Sequence, residues 1–281
     1  MLVSLFAVKV IIIGASGQLG REIASLVPGS LLTYNSTPIP SGVKLDVSNE
    51  LQVSDFILKN RPDVIINTSA ITNVDKCEED RELAYKVNAV SAKFITRSAS
   101  VVGAYLVHIS TDYVFDGEKG MYKEDDLPNP VNYYGLTKLL GETYVLSYDL
   151  SLVIRTSGVF GSKSNFPTFV MENLKRGNPV KVVRSIYSPI HAKMLAKAIV
   201  EILPQRRTGI LNIAGERISR EDLALMIARK LGAENLISVV PDSEMKWKAR
   251  RPRDSSLDIS RAKSIISFDF YDTEKNLMMG V

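Results

Sequence analysis

The chain has 281 residues, of which 45% are hydrophobic and 23% are charged. This composition excludes a disordered chain, and the length fits one large domain or two modest ones. A single cysteine excludes both a disulfide framework and a multi-cysteine zinc site. The formal net charge of +4 suits ligands that carry phosphate, but it is too small to indicate nucleic-acid binding.

The N-terminal apolar run resembles a signal peptide only superficially. Lys9 interrupts it, and it ends in a glycine-rich turn rather than at a cleavage site. No stretch reaches the roughly 18 uninterrupted apolar residues of a membrane span. We therefore expect a cytoplasmic protein with no membrane partner, and the lone cysteine also favours a reducing compartment.

The first half of the chain alternates short apolar strands with amphipathic helices. We predict strands at 8–13, 30–34, 63–67, 104–110 and 151–156, and helices at 19–26, 51–60, 79–102 and 134–148. This alternation is typical of a doubly wound parallel sheet, the Rossmann-type α/β fold. Beyond Ser157 the pattern loosens into helices at 168–176, 192–203 and 220–231, a strand at 209–214 and an irregular basic tail.

The loosening at Ser157, without any low-complexity linker, predicts a smaller C-terminal lobe that grows out of the sheet domain. We assign residues 1–157 and about 191–214 to a dinucleotide-binding domain. Residues 158–190 and 215–281 are assigned to a substrate-binding lobe.

Three glycines follow the first strand with the spacing GxxGxxG: Gly14, Gly17 and Gly20. A pyrophosphate must approach backbone N–H groups at a helix N-terminus, and side chains there would block it. An ordinary strand-to-helix turn is the alternative. The second strand ends in Tyr34-Asn35-Ser36 without a carboxylate that would repel a 2′-phosphate, so we expect NADP(H), with NAD(H) as a second option.

Tyr134 and Lys138 lie four residues apart on a predicted helix and so share one face. An ammonium beside a tyrosine favours the phenolate, which lets such a pair exchange a proton with a substrate oxygen. Tyr271 and Lys275 have the same spacing, but only the first pair follows a strand whose end carries hydroxyl residues, in the run Ser110-Thr111-Asp112. Ligands bind at the carboxyl ends of strands in open α/β sheets, so we favour Tyr134.

These motifs together resemble a known family. The segments GASGQLG, NTSAITNVDKCE, VNA, HISTDYVFDG, YYGLTK and RTSGVFG occur in the order of the extended short-chain dehydrogenase/reductases, and more narrowly of the dTDP-4-dehydrorhamnose reductases. The resemblance implies a catalytic triad of Thr111, Tyr134 and Lys138. Tyr134 would protonate the C4 oxygen of a keto sugar as NADPH delivers hydride, with Thr111 hydrogen-bonded to that oxygen. Lys138 would bind the nicotinamide ribose and lower the pKa of Tyr134.

The resemblance also implies binding residues. Cofactor contacts would come from Gly14, Ser16, Gly17, Gln18, Leu19, Gly20, Asn35, Ser36, Asp46, Val47, Ser69, Ala70, Tyr134 and Lys138. A nucleotide-sugar substrate would meet Asp112, Tyr113, Arg251 and Arg253, although the basic run that holds the two arginines is alternatively a solvated surface. Trp247 in that run either packs under the second lobe or stacks on a base. A homodimer is left open.

Glu22 matches a carboxylate that bridges a metal at some reductase dimer interfaces. The partner position is Lys193 here, so we expect no metal.

Gly158 stands where the reductases commonly carry a tryptophan, and this departure leaves the sugar open. The regulatory β subunit of methionine adenosyltransferase also lacks that tryptophan and resembles this chain at 189–193 and 251–253. An NADP-binding regulatory subunit is therefore an alternative to the enzyme. Another activity of the extended family, such as an epimerase or a dehydratase, is a third hypothesis.

Overall fold

The computed structural model describes residues 8–163 and 165–279. Its strands in chain order are β1 (Val10–Ile13), β2 (Leu31–Tyr34), β3 (Gly42–Lys44), β4 (Val64–Asn67), β5 (Tyr105–Thr111), β6 (Ser151–Thr156), β7 (Val159–Phe160), β8 (Val180–Val182), β9 (Ile186–Tyr187), β10 (Ile190–His191), β11 (Gly209–Asn212), β12 (Ile218–Ser219) and β13 (Ile237–Val239). Its α-helices are α1 (Gln18–Leu26), α2 (Glu50–Asn60), α3 (Val74–Glu79), α4 (Arg81–Tyr85), α5 (Ser91–Val102), α6 (Tyr133–Leu146), α7 (Phe166–Lys175), α8 (Ala192–Ile202), α9 (Arg220–Leu231), α10 (Ser260–Lys263) and α11 (Thr273–Met278).

A seven-stranded parallel sheet forms the centre of the molecule, in the order β11-β6-β5-β4-β1-β2-β3. The apolar runs of β1 and β4 are buried along their whole length because helices cover both faces of the sheet. Helices α1 and α8 pack on one face, and α2 and α5 pack on the other. The predicted doubly wound parallel sheet is confirmed.

The strand order reverses between β1 and β4, which are neighbours in the sheet. At such a point the connections leave towards opposite faces, and a crevice opens beyond the carboxyl ends of the strands. The turn after β1 and the segments that follow β4, β5 and β6 all reach this crevice. Within the described ranges, no helix is long and apolar enough to cross a bilayer.

The single helix predicted at 79–102 is wrong, because the structure divides this region into several helical segments. Asp80 ends α3 and caps α4, its side chain accepting a hydrogen bond from the Leu83 amide at 3.0 Å. A π-helical turn at Lys86–Val90 then precedes α5. This turn lets Asn88 reach Ile71, whose amide donates to Asn88 Oδ1 at 2.8 Å. A contact with a distant loop thus overrides the simple helical period.

Three small two-stranded sheets extend the molecule beyond the central sheet, pairing β7 with β10, β9 with β12, and β8 with β13. Helices α7 and α9 pack against them around a separate apolar cluster that includes Val170, Leu174, Leu223 and Ile227. Strands of two or three residues are too short to show a period, so the sequence did not predict them. The tail predicted as irregular contains β13, α10 and α11. The assigned domain boundaries stay a prediction.

Candidate active site

The turn between β1 and α1 is shaped for a phosphate. Gly14 has a φ of +81°, which glycine adopts freely, and its carbonyl accepts a hydrogen bond from the Gly17 amide at 2.9 Å. A Cβ at Gly20 would lie 2.6 Å from the Gly14 carbonyl oxygen, so a side chain there would displace the turn. Among the described residues no side chain caps the start of α1, and its first amide groups can therefore meet an anion.

Six further predicted cofactor residues lie beyond the carboxyl ends of three strands of the parallel sheet. They follow β2 (Asn35, Ser36), β3 (Asp46, Val47) and β4 (Ser69, Ala70). The segment after β4 is held by Asn67, whose Oδ1 accepts hydrogen bonds from the Ser69 amide at 3.1 Å and hydroxyl at 2.6 Å. Because these strands are parallel to β1, all six positions lie at the edge of the sheet at which the glycine turn lies.

A cavity of about 510 Å³ opens at this edge. The predicted residues that line it are Gly17, Gln18, Leu19, Gly20, Ala70, Thr111, Asp112, Tyr113, Tyr134 and Lys138. The lining does not include Gly14, Ser16, Asn35, Ser36, Asp46, Val47, Ser69, Arg251 or Arg253. The structure therefore brings the glycine turn and all three predicted catalytic residues to one cavity.

Helix α6 presents the tyrosine and the lysine to the cavity. Asn132 fixes the start of this helix by accepting a hydrogen bond from the Gly135 amide at 2.9 Å. Tyr134 and Lys138 are both buried, with exposed fractions of 8% and 2%. The ammonium of Lys138 donates to the Ile109 carbonyl at 2.7 Å, which anchors its tip beside the end of β5.

Burial dominates the proton affinities of both groups. It raises the pKa of Tyr134 well above its usual value, against a smaller opposite effect from the Thr111 hydroxyl. It lowers the pKa of Lys138 to about 8, with the Glu142 carboxylate opposing the change. The expected lowering of the Tyr134 pKa by Lys138 stays a prediction, and burial favours the protonated phenol. A protonated phenol is the form that can donate a proton to a substrate oxygen.

Asp112 is a buried carboxyl that joins three parts of the chain. It accepts hydrogen bonds from the hydroxyls of Thr111 at 3.0 Å, Ser157 at 2.7 Å and Ser255 at 2.5 Å. Burial raises the pKa of Asp112, while these three donors act in the opposite direction. The end of β5 is thereby fixed against the segments after β6 and near the C-terminus.

Tyr187 and Arg220 also line the cavity, although the sequence did not single them out. The guanidinium carbon of Arg220 lies 4.3 Å from the ring centroid of Tyr187 and 4.8 Å from that of Phe166. A Cβ at Gly158 would lie 2.5 Å from Cε2 of Tyr187, so the Tyr187 ring fills the space beside Gly158. The sequence carried one signal here, the unexpected glycine at 158, but nothing that identified its neighbour.

A second cavity of about 600 Å³ adjoins the first, and Tyr113, Asn165 and Arg220 line both. Arg251 and Trp247 line the second, with the guanidinium carbon 5.4 Å from the indole ring. The Arg251 side chain is held by an ion pair with Asp75 at 3.0 Å, and its Nη1 has no hydrogen-bond partner among the described residues.

Arg253 is placed differently from Arg251. Its side chain is exposed and lines neither of these two cavities. It lines a surface pocket that Trp247 and Arg251 also line. Of the two predicted arginines, only Arg251 lines the second cavity, and the two share the pocket beside it.

We based the expectation of no metal on Glu22 and Lys193. These residues lie on α1 and α8, two helices that pack against each other. In the part of the chain that the structure describes, no group of three or more His, Cys, Asp or Glu residues could hold a metal ion.

Residues 8–278 match the sequence model of the family described as RmlD substrate binding domain. Among curated proteins, the dTDP-4-dehydrorhamnose reductase of Salmonella typhimurium is 34% identical over 273 residues, which cover 90% of each chain. The spore coat polysaccharide biosynthesis protein SpsK of Bacillus subtilis is 33% identical over 254 residues, covering 89% of this chain and 88% of that protein.

Solved structures give the same assignment. A hypothetical dTDP-4-dehydrorhamnose reductase from Sulfolobus tokodaii is 52% identical with a TM-score of 0.93, covering 97% of this chain and 99% of that one. The dTDP-4-dehydrorhamnose reductase from Bacillus anthracis, solved in complex with NADP, is 28% identical with a TM-score of 0.88 and coverages of 96% and 97%. This chain belongs to the RmlD substrate-binding domain family.

Proposed function

We propose that this protein reduces the C4 keto group of dTDP-4-dehydrorhamnose to give dTDP-L-rhamnose, with NADPH as the reductant. The observation that carries this proposal is the meeting of Thr111, Tyr134 and Lys138 with the glycine turn in one cavity. The names of the relatives supply the substrate. They also favour a reductase over a regulatory subunit of methionine adenosyltransferase.

The crevice residues fit a dinucleotide. Gly14 and Gly20 leave a backbone cradle that a Cβ would fill, and the first amides of α1 would hold the pyrophosphate. Asn35 and Ser36 at the end of β2 would accommodate a 2′-phosphate, which favours NADP(H) while NAD(H) stays a second option. When bound, the reduced nicotinamide supplies the hydride for C4.

Tyr134 acts as the general acid in this proposal. Reduction at C4 leaves negative charge on the C4 oxygen, and the Tyr134 hydroxyl donates a proton to it to complete the secondary alcohol. The raised pKa of Tyr134 keeps this proton in place until the oxygen becomes basic. The Thr111 hydroxyl donates to Asp112 in the structure, and it would turn this proton to the same substrate oxygen when the sugar binds.

Lys138 would hold the nicotinamide ribose. Its pKa of about 8 leaves it mostly charged at neutral pH, so that it can donate hydrogen bonds to ribose hydroxyls. The Ile109 carbonyl fixes the ammonium at 2.7 Å and keeps it on the α6 face that carries Tyr134.

The nucleotide diphosphate would bind across the second cavity. Arg220 lies at the junction of the two cavities, and Arg251 offers a guanidinium nitrogen that has no other partner among the described residues. Guanidinium groups suit phosphate oxygens because their planar donors bind in pairs. Asp112 and Tyr113 would then face the sugar. The predicted lobe of residues 158–190 and 215–281 would supply most of the residues that line the second cavity. The contact between Arg253 and the substrate stays a prediction.

The test follows the loss of NADPH absorbance with dTDP-4-dehydro-L-rhamnose, made in place by the upstream enzymes. We expect rapid oxidation with NADPH, slower oxidation with NADH, and dTDP-L-rhamnose as the product. NADPH binding without any oxidation would refute the proposed reaction and favour the regulatory subunit, which a pull-down of methionine adenosyltransferase would then test. A homodimer and a cytoplasmic location stay predictions, to be tested by sedimentation and by fractionation.

A further inference from the structure

The wall of the catalytic cavity near Gly158 is aromatic, although position 158 has no side chain. The ring of Tyr187 lies against the backbone at Gly158, where an added Cβ would be 2.5 Å from Cε2 and 2.8 Å from Cδ2. Tyr187 lines the same cavity as Tyr134 and Thr111. The position of the Tyr187 ring thus depends on glycine at 158, because any side chain there would displace the ring.

Three contacts hold Tyr187 in the wall of the cavity. Strand β9 pairs Tyr187 with Ile218 of β12, Arg220 stacks over the ring, and Phe166 packs against it edge-on with ring centroids 6.5 Å apart. Its exposed fraction is 4%. A ring packed in this way needs little further ordering when a ligand contacts the part of it that lines the cavity.

The Tyr187 hydroxyl supplies a second observation. It is buried and forms no hydrogen bond with any residue that the structure describes. Buried hydroxyls are normally paired, and an unpaired one is costly. A ligand that brings a hydrogen-bonding group to this corner of the cavity would remove that cost.

We propose that Tyr187, in the space left by Gly158, is the residue that recognises the deoxysugar ring of the substrate. The sugar contacts the part of the phenol ring that lines the cavity. A small shift of the ring on binding then lets a sugar hydroxyl pair with the buried Tyr187 hydroxyl. This inference rests on the proposed function for the class of ligand, a nucleotide-linked deoxyhexose. It adds a specificity-determining residue to that function.

The contribution of the sugar can be measured without turnover. Calorimetry on the full chain with NADP⁺ would give the Kd of dTDP and of dTDP-L-rhamnose, and their ratio reports what the sugar adds. For Tyr187→Phe we expect this ratio to fall roughly fivefold, as expected for one hydrogen bond, with the Kd of dTDP unchanged. For Tyr187→Leu, which also removes the ring, the ratio should fall further.

A matched control is Tyr148→Phe, which removes a tyrosine hydroxyl bonded to the Ala104 carbonyl away from the cavity and should leave the ratio unchanged. Tyr187→Phe should melt at or above the wild-type temperature, because it removes an unpaired polar group. An unchanged ratio in Tyr187→Phe and Tyr187→Leu, or no gain from the sugar in the wild type, would overturn the inference. If the Tyr187 variants lower the ratio but the wild type reduces no keto sugar, only the proposed reaction is refuted.

Discussion

Replacing Lys138 by methionine should stabilise the protein near neutral pH although it removes a catalytic group. Lys138 is 2% exposed, and burial lowers its pKa from 10.5 to about 8. This difference corresponds to roughly 3 kcal/mol of destabilisation while the lysine is charged. The variant also loses the hydrogen bond to the Ile109 carbonyl, and this loss reduces the expected gain in stability by about 1 kcal/mol. We therefore expect Lys138→Met to gain about 2 kcal/mol in the free energy of unfolding.

The gain should depend on pH in one direction. Below pH of about 8 the lysine is charged in both the folded and the unfolded chain, so its full cost is present. Between about 8 and 10.5 the folded wild type releases the proton first, and its stability rises with pH. The advantage of Lys138→Met should therefore shrink across this interval.

Urea unfolding of the cofactor-free protein at about pH 7 and about pH 9.5 measures this advantage. Lys197→Met, at an exposed position on α8, is the matched control and should change stability by less than about 0.5 kcal/mol. A variant less stable than wild type at neutral pH, or an advantage that stays constant with pH, would refute the reasoning.

Three further substitutions test the fold and the two binding regions. Arg155→Met should cost about 3–5 kcal/mol in urea unfolding, because it leaves the Glu142 carboxylate buried without its partner at 2.8 Å; a loss below about 1 kcal/mol would contradict this. Gly20→Ala should raise the Kd of NADPH at least about tenfold by displacing the phosphate turn. Gly29→Ala, whose added Cβ meets no atom within 4 Å, should leave this Kd unchanged, although its φ of +82° makes the variant less stable. Arg251→Ala should raise the KM for the nucleotide sugar about tenfold or more with the KM for NADPH unchanged, and an equal change in both would argue against a diphosphate contact.

The central sheet could be predicted because its strands are short apolar runs bounded by turns. The glycine spacing after β1 and the Tyr134–Lys138 pair on α6 needed only local sequence. Their convergence followed from one rule, that the carboxyl ends of parallel strands share an edge. The cavity that holds both motifs agrees with that rule.

Interactions between distant segments could not be predicted in the same way. The π-helical turn before α5 depends on a hydrogen bond between Asn88 and Ile71 across 17 positions. Tyr187 reaches Gly158 from a strand of two residues, which has no detectable period. Arg220 was predicted only as the start of a helix. Its place between two cavities depends on the packing of α9 against the small sheets.

The most direct test of the proposed reaction compares wild type with Tyr134→Phe. This change removes only the hydroxyl that donates the proton and keeps the buried ring. We predict that NADPH oxidation with dTDP-4-dehydro-L-rhamnose falls by about 10² or more, while the Kd of NADPH and the urea midpoint stay near the wild-type values. Wild-type turnover in Tyr134→Phe would contradict the assignment of Tyr134 as the acid.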